Sequence, residues 1–263
     1  MHDTFHKLAK HYDGMMSHVD YERWIAVSTL IADLCPDDDF YHLDIGCGTG
    51  NLLEGLRDYG WRSVGIDLSH AMIETARDHH PELPVAQADM TQLPFHNVFH
   101  FATSVFDSVN FLLSHEALVQ ACKSIRGALT DSGVLYFDFI SEAMVLEHFA
   151  DKDWVDRIDG IDIRWRGVYD SEARIIENTI WSGMGDPSVV RERVHSLDEI
   201  REALEAVGMR VLGVFDTESW SEPSATTLRY DVVACVGDAQ ELDSDFRRIR
   251  EDVRLLLSDG KIS

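Results

Sequence analysis

Three aspartates, each at or just after the end of a short apolar run, are the side chains here best suited to holding a polar organic ligand: Asp44, Asp67 and Asp89. Asp44 opens the stretch Asp44-Ile-Gly-Cys-Gly-Thr-Gly50, with glycines at 46, 48 and 50. Glycines so spaced let a chain turn tightly from strand to helix and pass its backbone close to a ligand. The pattern is not the G-x-G-x-x-G of a dinucleotide site, because Asn51 stands where the third glycine would be. A pyrophosphate wants bare amides at a helix N-terminus and no adjacent anion, so Asp44 beside the loop suits a cationic ligand instead. Asp67, 17 residues beyond Gly50, is placed to accept both hydroxyls of a ribose. Asp89, in Ala88-Asp-Met-Thr91, is placed to accept the exocyclic amine of an adenine. Singly, such acids serve as helix caps or solvated loop residues. Together, at the carboxyl ends of successive strands, they converge on the crevice where open α/β sheets bind ligands.

Other residues are candidates for work on a second reactant. His195 is a candidate general base, since an imidazole titrates near neutrality, or else a histidine at the entry to the helix opened by Ser196. Asn110 and Asp107 follow the fourth predicted strand and either orient a substrate or close the strand. Trp154, Trp165, Trp181 and Trp220 line an acceptor pocket or fill a core. His79 and His80 at a helix end make a poor metal site without further ligands, and no metal is assigned.

The elements that must position these residues alternate from residue 40 onward. Strands are predicted at Tyr41–Ile45, Arg62–Ile66, Val85–Ala88, Phe99–Phe106 and Gly133–Ile140. Helices lie between them at Gly50–Tyr59, from a Ser69 cap to about His79, and at Glu116–Leu129. This rhythm is that of a parallel sheet with crossover helices. After about residue 150 the segments Trp154–Asp170, Arg174–Trp181 and Val189–His195 alternate apolar and polar residues, predicting an antiparallel sheet. Ser196 and Glu199 have capping-box spacing, and the helix they open ends near Gly208. Val211–Phe215 and Tyr230–Val236 complete the main sheet, and Ala239–Leu257 reads as a final helix. Two helix-like segments, about 3–13 and 20–34, precede the first strand. The fold class expected is α/β, a Rossmann-like doubly wound, mostly parallel seven-stranded sheet with a small antiparallel β insertion. Residues 1–150 and 196–263 would form the main domain, with 1–34 as an N-terminal lid hinged at Gly14, Ser17 and His18, and 151–195 would be the insertion.

Composition narrows the partners. The 263 residues carry 23 Lys plus Arg against 47 Asp plus Glu, a formal net charge of -24, which repels phosphate backbones and anionic lipid at long range. Neither nucleic acid nor membrane is therefore an expected partner. No apolar run approaches the length of a membrane span, and the N-terminus lacks the pattern of an export signal, so a soluble cytoplasmic protein is expected. Cys35, Cys47, Cys122 and Cys235 are scattered, as free thiols in a reducing compartment would be.

Over residues 40–140 the chain resembles the class I S-adenosylmethionine-dependent methyltransferases. The likeness is carried by Asp44–Gly50, Gly65-Ile-Asp67-Leu-Ser69, Ala88-Asp89-Met90, Phe106-Asp-Ser-Val-Asn110 and Gly133–Asp138. Within that superfamily it is similar to small bacterial enzymes with an N-terminal Tyr-Asp motif, here Tyr12-Asp13. These also carry a D-Y-x-x-W element, here Asp20-Tyr21-Glu-Arg-Trp24, and an antiparallel insertion after the fifth strand. The resemblance implies S-adenosyl-L-methionine as cofactor, with Gly46 and Gly48 against its methionine part, Asp67 on the ribose, and Asp89 and Met90 on the adenine. Tyr12 and Trp24 would close over it, and Asp44, Tyr21, Leu68, Met72 and Phe106 complete the expected cofactor set. His195 and Asn110 are the catalytic candidates; the relatives' R-x-Y is replaced here by Arg193-Val-His195. The implied function is methyl transfer to N or O of a small-molecule acceptor, in a monomer or a homodimer. Alternatives are a cofactor-binding regulatory protein, a protein methyltransferase and a nicotinamide-dependent oxidoreductase.

Overall fold

A computed structural model of the chain describes residues 4–17, 19–35, 41–158, 160–183, 185–237 and 239–258. His18, part of the expected hinge, lies outside the described residues. The chain opens with a tight turn (Ala9–His11) running into α1 (Tyr12–Met15), followed by α2 (Tyr21–Ala32). Then come β1 (Tyr41–Ile45), α3 (Asn51–Leu56), β2 (Arg62–Asp67), α4 (His70–His79), β3 (Val85–Gln87) and β4 (Phe99–Ser104). They are followed by α5 (His115–Ala128), β5 (Leu129–Ile140) and a short α6 (Glu142–Met144). Four strands succeed one another as β6 (Asp153–Ile158), β7 (Ile161–Asp170), β8 (Ile175–Ser182) and β9 (Ser188–Arg193). The chain closes with α7 (Leu197–Ala206), β10 (Met209–Asp216), β11 (Arg229–Val236) and α8 (Ala239–Ser258).

The main sheet has the order β10-β11-β5-β4-β1-β2-β3, with every strand running the same way except β11, which is antiparallel to both β5 and β10. Strand β5 shows why helices must cover both faces, since every residue from Gly133 to Ile140 is buried. Leu135, Phe137 and Phe139 pack with Leu118, Ala121 and Ile125 of α5 and Ile200 and Leu204 of α7. Val134 and Tyr136, pointing the other way, pack with Val27 and Ile31 of α2 and Ile249 and Val253 of α8. Local chemistry starts the helices where the sequence predicts. Ser69 accepts from the Met72 amide at 3.2 Å, and Ser196 and Glu199 form a reciprocal capping box.

The order reverses at β1, with β2 on one side and β4 on the other, so a crevice opens beyond their carboxyl ends. Asp44 lies in register with both Gly65 and Thr103 at that edge. The second sheet, β6-β7-β8-β9, is antiparallel throughout. The stretch 154–170 is a hairpin, β6 meeting β7 at Ile158 and Ile161. Ile163, Ile180 and Val190 of this sheet pack on Leu8, while Ala9 packs on Ala71 and Met72 of α4. The N-terminal segment is thus wedged between the two. It holds less helix than its pattern predicts, because so short a helix depends on tertiary contacts, and here single side chains make them.

Candidate functional site

The loop after β1 is shaped by its glycines. Gly46 has φ +74°, and a Cβ there would sit 2.3 Å from Ser108 Oγ, so no other residue fits without displacing the chain after β4. At Gly48 (φ +55°) a Cβ would find only the Tyr12 ring, at 3.9 Å, and would fill the space over the loop. Asp67, at the end of β2, is held by two amides: Gly48 N donates to Oδ2 at 3.0 Å and Ser69 N to Oδ1 at 2.7 Å. These bonds lock the glycine loop, the carboxylate and the start of α4 into one unit before any ligand arrives.

Asp44 is buried and accepts from Thr103 Oγ1 at 2.7 Å. Burial pushes its carboxyl up to about 7, with the neighbouring Asp67 charge adding to the effect and the Thr103 bond opposing it. Behind it, His42 bonds to Thr103 Oγ1 at 2.9 Å and Ser63 Oγ at 3.1 Å, and burial lowers its imidazole to about 3, so it is neutral. Asp89 follows β3 and accepts from the Thr91 amide and hydroxyl through Oδ1. Its Oδ2 has no hydrogen-bond partner among the described residues.

The N-terminal segment is tied to this loop by Asp13, which accepts from Thr49 Oγ1 at 2.5 Å and Asn51 Nδ2 at 3.0 Å and pairs with His79 Nδ1 at 3.1 Å. That places Tyr12 over Gly48, with its phenol raised well above its usual range by burial, and by the nearby Asp107 charge. Tyr21 packs on Phe106, ring centres 5.0 Å apart. Asp20 caps α2 by accepting from Arg23 N at 3.1 Å.

One cavity of about 740 Å³ gathers these groups. Tyr12, Tyr21, Asp44, Gly46, Gly48, Asp67, Leu68, Met72, Asp89, Met90 and Phe106 all line it. Trp24 does not. It is buried behind Phe106 and against Tyr136, at ring distances of 5.0 and 6.2 Å, because the periodicity of α2 turns it to the core. Another hollow of about 820 Å³, bounded by β10 and α8, holds none of the expected residues.

The two catalytic candidates lie elsewhere than expected. Asn110 is fully buried and its amide is spent on backbone: Oδ1 accepts from Ile140 N at 3.0 Å, and Nδ2 donates to Arg193 O at 2.9 Å. It clamps β9 to the end of β5. His195 is 1% exposed and is not among the cavity-lining residues. Its Nδ1 accepts from Arg193 Nη1 at 2.7 Å, its Nε2 has no hydrogen-bond partner among the described residues, and the Leu112 and Val109 backbone lies close to the ring. Burial, aided by the Arg193 charge, lowers it to about 4. A proton acceptor this weak and enclosed is placed to fix the junction of β9 with the loop after β4.

A buried charge cluster went unforeseen. Arg229 of β11 pairs with Asp107 Oδ1 at 2.7 Å and with Asp138 Oδ2, and it holds Phe106 and Asp107 in left-handed conformations of φ +60° and +55°. Glu192, 6% exposed, lies against Asp107, and burial, with that neighbouring charge, raises its carboxyl well above the usual range. The available signal was parity: Glu192 occupies the same alternation class as Val190, the core-facing class of β9.

Residues 43–133 match the family model described as a methyltransferase domain. YqeM of Bacillus subtilis (strain 168), named provisionally as a methyltransferase, is 28% identical over 229 residues, covering 83% of this chain and 91% of that protein. Among solved structures, an S-adenosylmethionine-dependent methyltransferase from Clostridium acetobutylicum ATCC 824 matches with a TM-score of 0.74 at 22% identity, over 89% of this chain and 99% of that one. CalS10 from Micromonospora echinaspora, an amino pentose methyltransferase solved with S-adenosylmethionine bound, gives 0.65 at 23%, over 86% and 94%. The fold is therefore the Rossmann-like α/β arrangement of these neighbours. The domain match and the cofactor-bound neighbour support S-adenosyl-L-methionine as the cofactor. Among the described residues no His, Cys, Asp and Glu group could hold a metal ion, and no helix is long and apolar enough to cross a membrane.

Proposed function

We propose that the protein transfers a methyl group from S-adenosyl-L-methionine to a nitrogen or oxygen atom of a small-molecule acceptor. The observation that carries this reading is the convergence of the Gly46–Gly48 cradle with Asp44, Asp67 and Asp89 on one cavity. The donor set fits the cofactor: a buried carboxylate for its ammonium group, a preorganised one for its ribose, and an acid with an unengaged oxygen beside Met90 for its adenine. When bound, the cofactor supplies a methyl carbon on a sulfonium, which departs as neutral thioether, keeping the C–S electron pair, as the acceptor's lone pair forms the new bond.

The chain's own contribution is placement. Tyr12, Tyr21 and Phe106 line the cavity beside the loop, with Tyr21 packed on Phe106, and Ser108 abuts Gly46. Such positioning supplies roughly 7–11 kcal/mol of barrier lowering without a proton-transfer residue. Among the described residues of the lining the titratable acids and histidines are Asp44, Asp67 and Asp89, which this reading gives to the cofactor, and His70 at the start of α4, which favours an acceptor atom that attacks without prior loss of a strongly held proton. Calorimetry with S-adenosylhomocysteine tests the reading. Stoichiometric binding that competes with S-adenosylmethionine is expected, and absence of binding by the intact protein overturns it.

A further inference from the structure

The lining falls into two sets: the residues that the methyltransferase reading gives to the cofactor, and Phe5, Phe111, Leu112, Leu113 and Val189, with Arg191 two positions along β9 from Val189. Three of these apolar side chains are open to solvent, Phe111 at 36% and Leu113 at 41% on the loop after β4, and Val189 at 37% on β9. Exposed neighbouring apolar groups at a cavity mouth mark a surface meant to be covered. Opposite charges come from different parts of the chain: among the described residues of the lining the carboxylates are Asp44, Asp67 and Asp89, at or just after the ends of β1, β2 and β3, and the one lysine or arginine is Arg191 of β9.

Arg191 is available to a ligand. Its Nε bonds Glu177 Oε2 across the β8–β9 pair at 2.7 Å, with both side chains exposed, so this pair contributes little. Its Nη1 and Nη2 have no partner among the described residues. That leaves a planar two-nitrogen fork, the geometry that recognises a carboxylate or phosphate.

We propose that the acceptor is an amphipathic acid, with an apolar or aromatic body against Phe5, Phe111, Leu112 and Leu113 and its anionic group on the terminal nitrogens of Arg191. The proposal rests on the methyltransferase reading and adds the class of substrate. A polyhydroxylated or ammonium-bearing acceptor fits this second set badly. Its hydroxyls would lose water against apolar walls that return no hydrogen bond, and its charge would repeat that of Arg191. The carboxylate of Asp107, on the loop after β4, is engaged by Arg229 and lies against Glu192. The protein's net charge of -24 repels anions only at long range; within a Debye length, about 8 Å at physiological ionic strength, the local Arg191 and a bound cationic cofactor decide.

Calorimetric titration of the S-adenosylhomocysteine-loaded protein with 3-phenylpropionate, phenyl phosphate, neutral 3-phenylpropanamide and phenethylammonium tests this. At least one of the two anions should bind about tenfold or more tighter than the amide, and the ammonium weakest, as expected for one partly screened charge-assisted contact. The stronger anion identifies carboxylate or phosphate as the group recognised. Arg191→Gln should erase the preference while leaving S-adenosylhomocysteine affinity and thermal stability unchanged, and Arg191→Lys should restore part of it. Equal binding of acid and amide, tightest binding by the ammonium, or no anion binding with cofactor binding intact would each overturn the acceptor class and leave the methyltransferase reading standing. Failure of the intact protein to bind S-adenosylhomocysteine would instead overturn that reading.

Discussion

The two ends of the cavity are built in opposite ways. At the end proposed for the cofactor the carboxylates come from one stretch, residues 44 to 89, and are fixed by hydrogen bonds made where β1, β2 and β3 end: Gly48 and Ser69 amides on Asp67, Thr103 on Asp44, Thr91 on Asp89. At the other end the wall is assembled from Phe5, Phe111–Leu113 and Val189–Arg191, held by Asn110 and the Arg229 cluster. The first can be specified by a motif. The second exists only when four separate parts of the chain pack, so its walls can change while the motif stays, which is how one scaffold serves many acceptors.

Removing the buried cation should break the assembled end most severely. Arg229→Met leaves Asp138 and Asp107 facing one another without a counter-charge, and a loss of about 3–5 kcal/mol is expected in urea unfolding. A double variant with Asp138→Asn should recover part of that loss; if Arg229→Met alone unfolds like the parent, the cluster does not hold the loop.

At the motif-built end, Asp67→Ala should leave the fold intact and weaken S-adenosylhomocysteine by about 2–4 kcal/mol, on the order of 30- to 1000-fold, because its charge-assisted bonds are lost. Unchanged affinity in calorimetry would remove the ribose assignment.

A smaller effect separates the ends by pH. Asp44 is raised to about 7, so below that value it is protonated and must lose its proton to meet an ammonium group. S-adenosylhomocysteine affinity should therefore fall about tenfold from pH 8 to pH 6, with proton release at the lower pH, and Asp44→Asn should abolish the slope. The same raised value, shared by Asp138, makes the ligand-free fold lose stability as pH climbs from the ordinary carboxylate range to about 7 and no further. An affinity flat across this range would detach Asp44 from the ligand's cation.

The mildest outcome is expected at His195. With its ring enclosed and bonded to Arg193, His195→Gln should cost about 1 kcal/mol of stability and leave S-adenosylhomocysteine affinity within about twofold. A fall in turnover of about 10²–10⁴-fold at unchanged stability would instead restore it as a general base.

By itself the sequence determined the rhythm of the main sheet and the glycine loop that follows β1, because both are local. Alternating apolar runs, caps such as Ser69 and Ser196, and glycines that must adopt left-handed angles act over a few residues and leave their mark in spacing. Tertiary structure alone decided which way Trp24, Asn110 and His195 face. Trp24 differs from Tyr21 only by one helical turn of position, yet one lines the cavity and the other fills the core behind it. Asn110 and His195 have the side chains of catalytic residues, but the crossing of β9 over the loop after β4 buries both, spending the Asn110 amide on backbone groups and His195 Nδ1 on Arg193. Arg229 and Glu192 are the converse: unremarked in spacing, they meet Asp107 across 122 and 85 positions of chain, a proximity that only the pairing of β11 with β5 and the docking of the second sheet create.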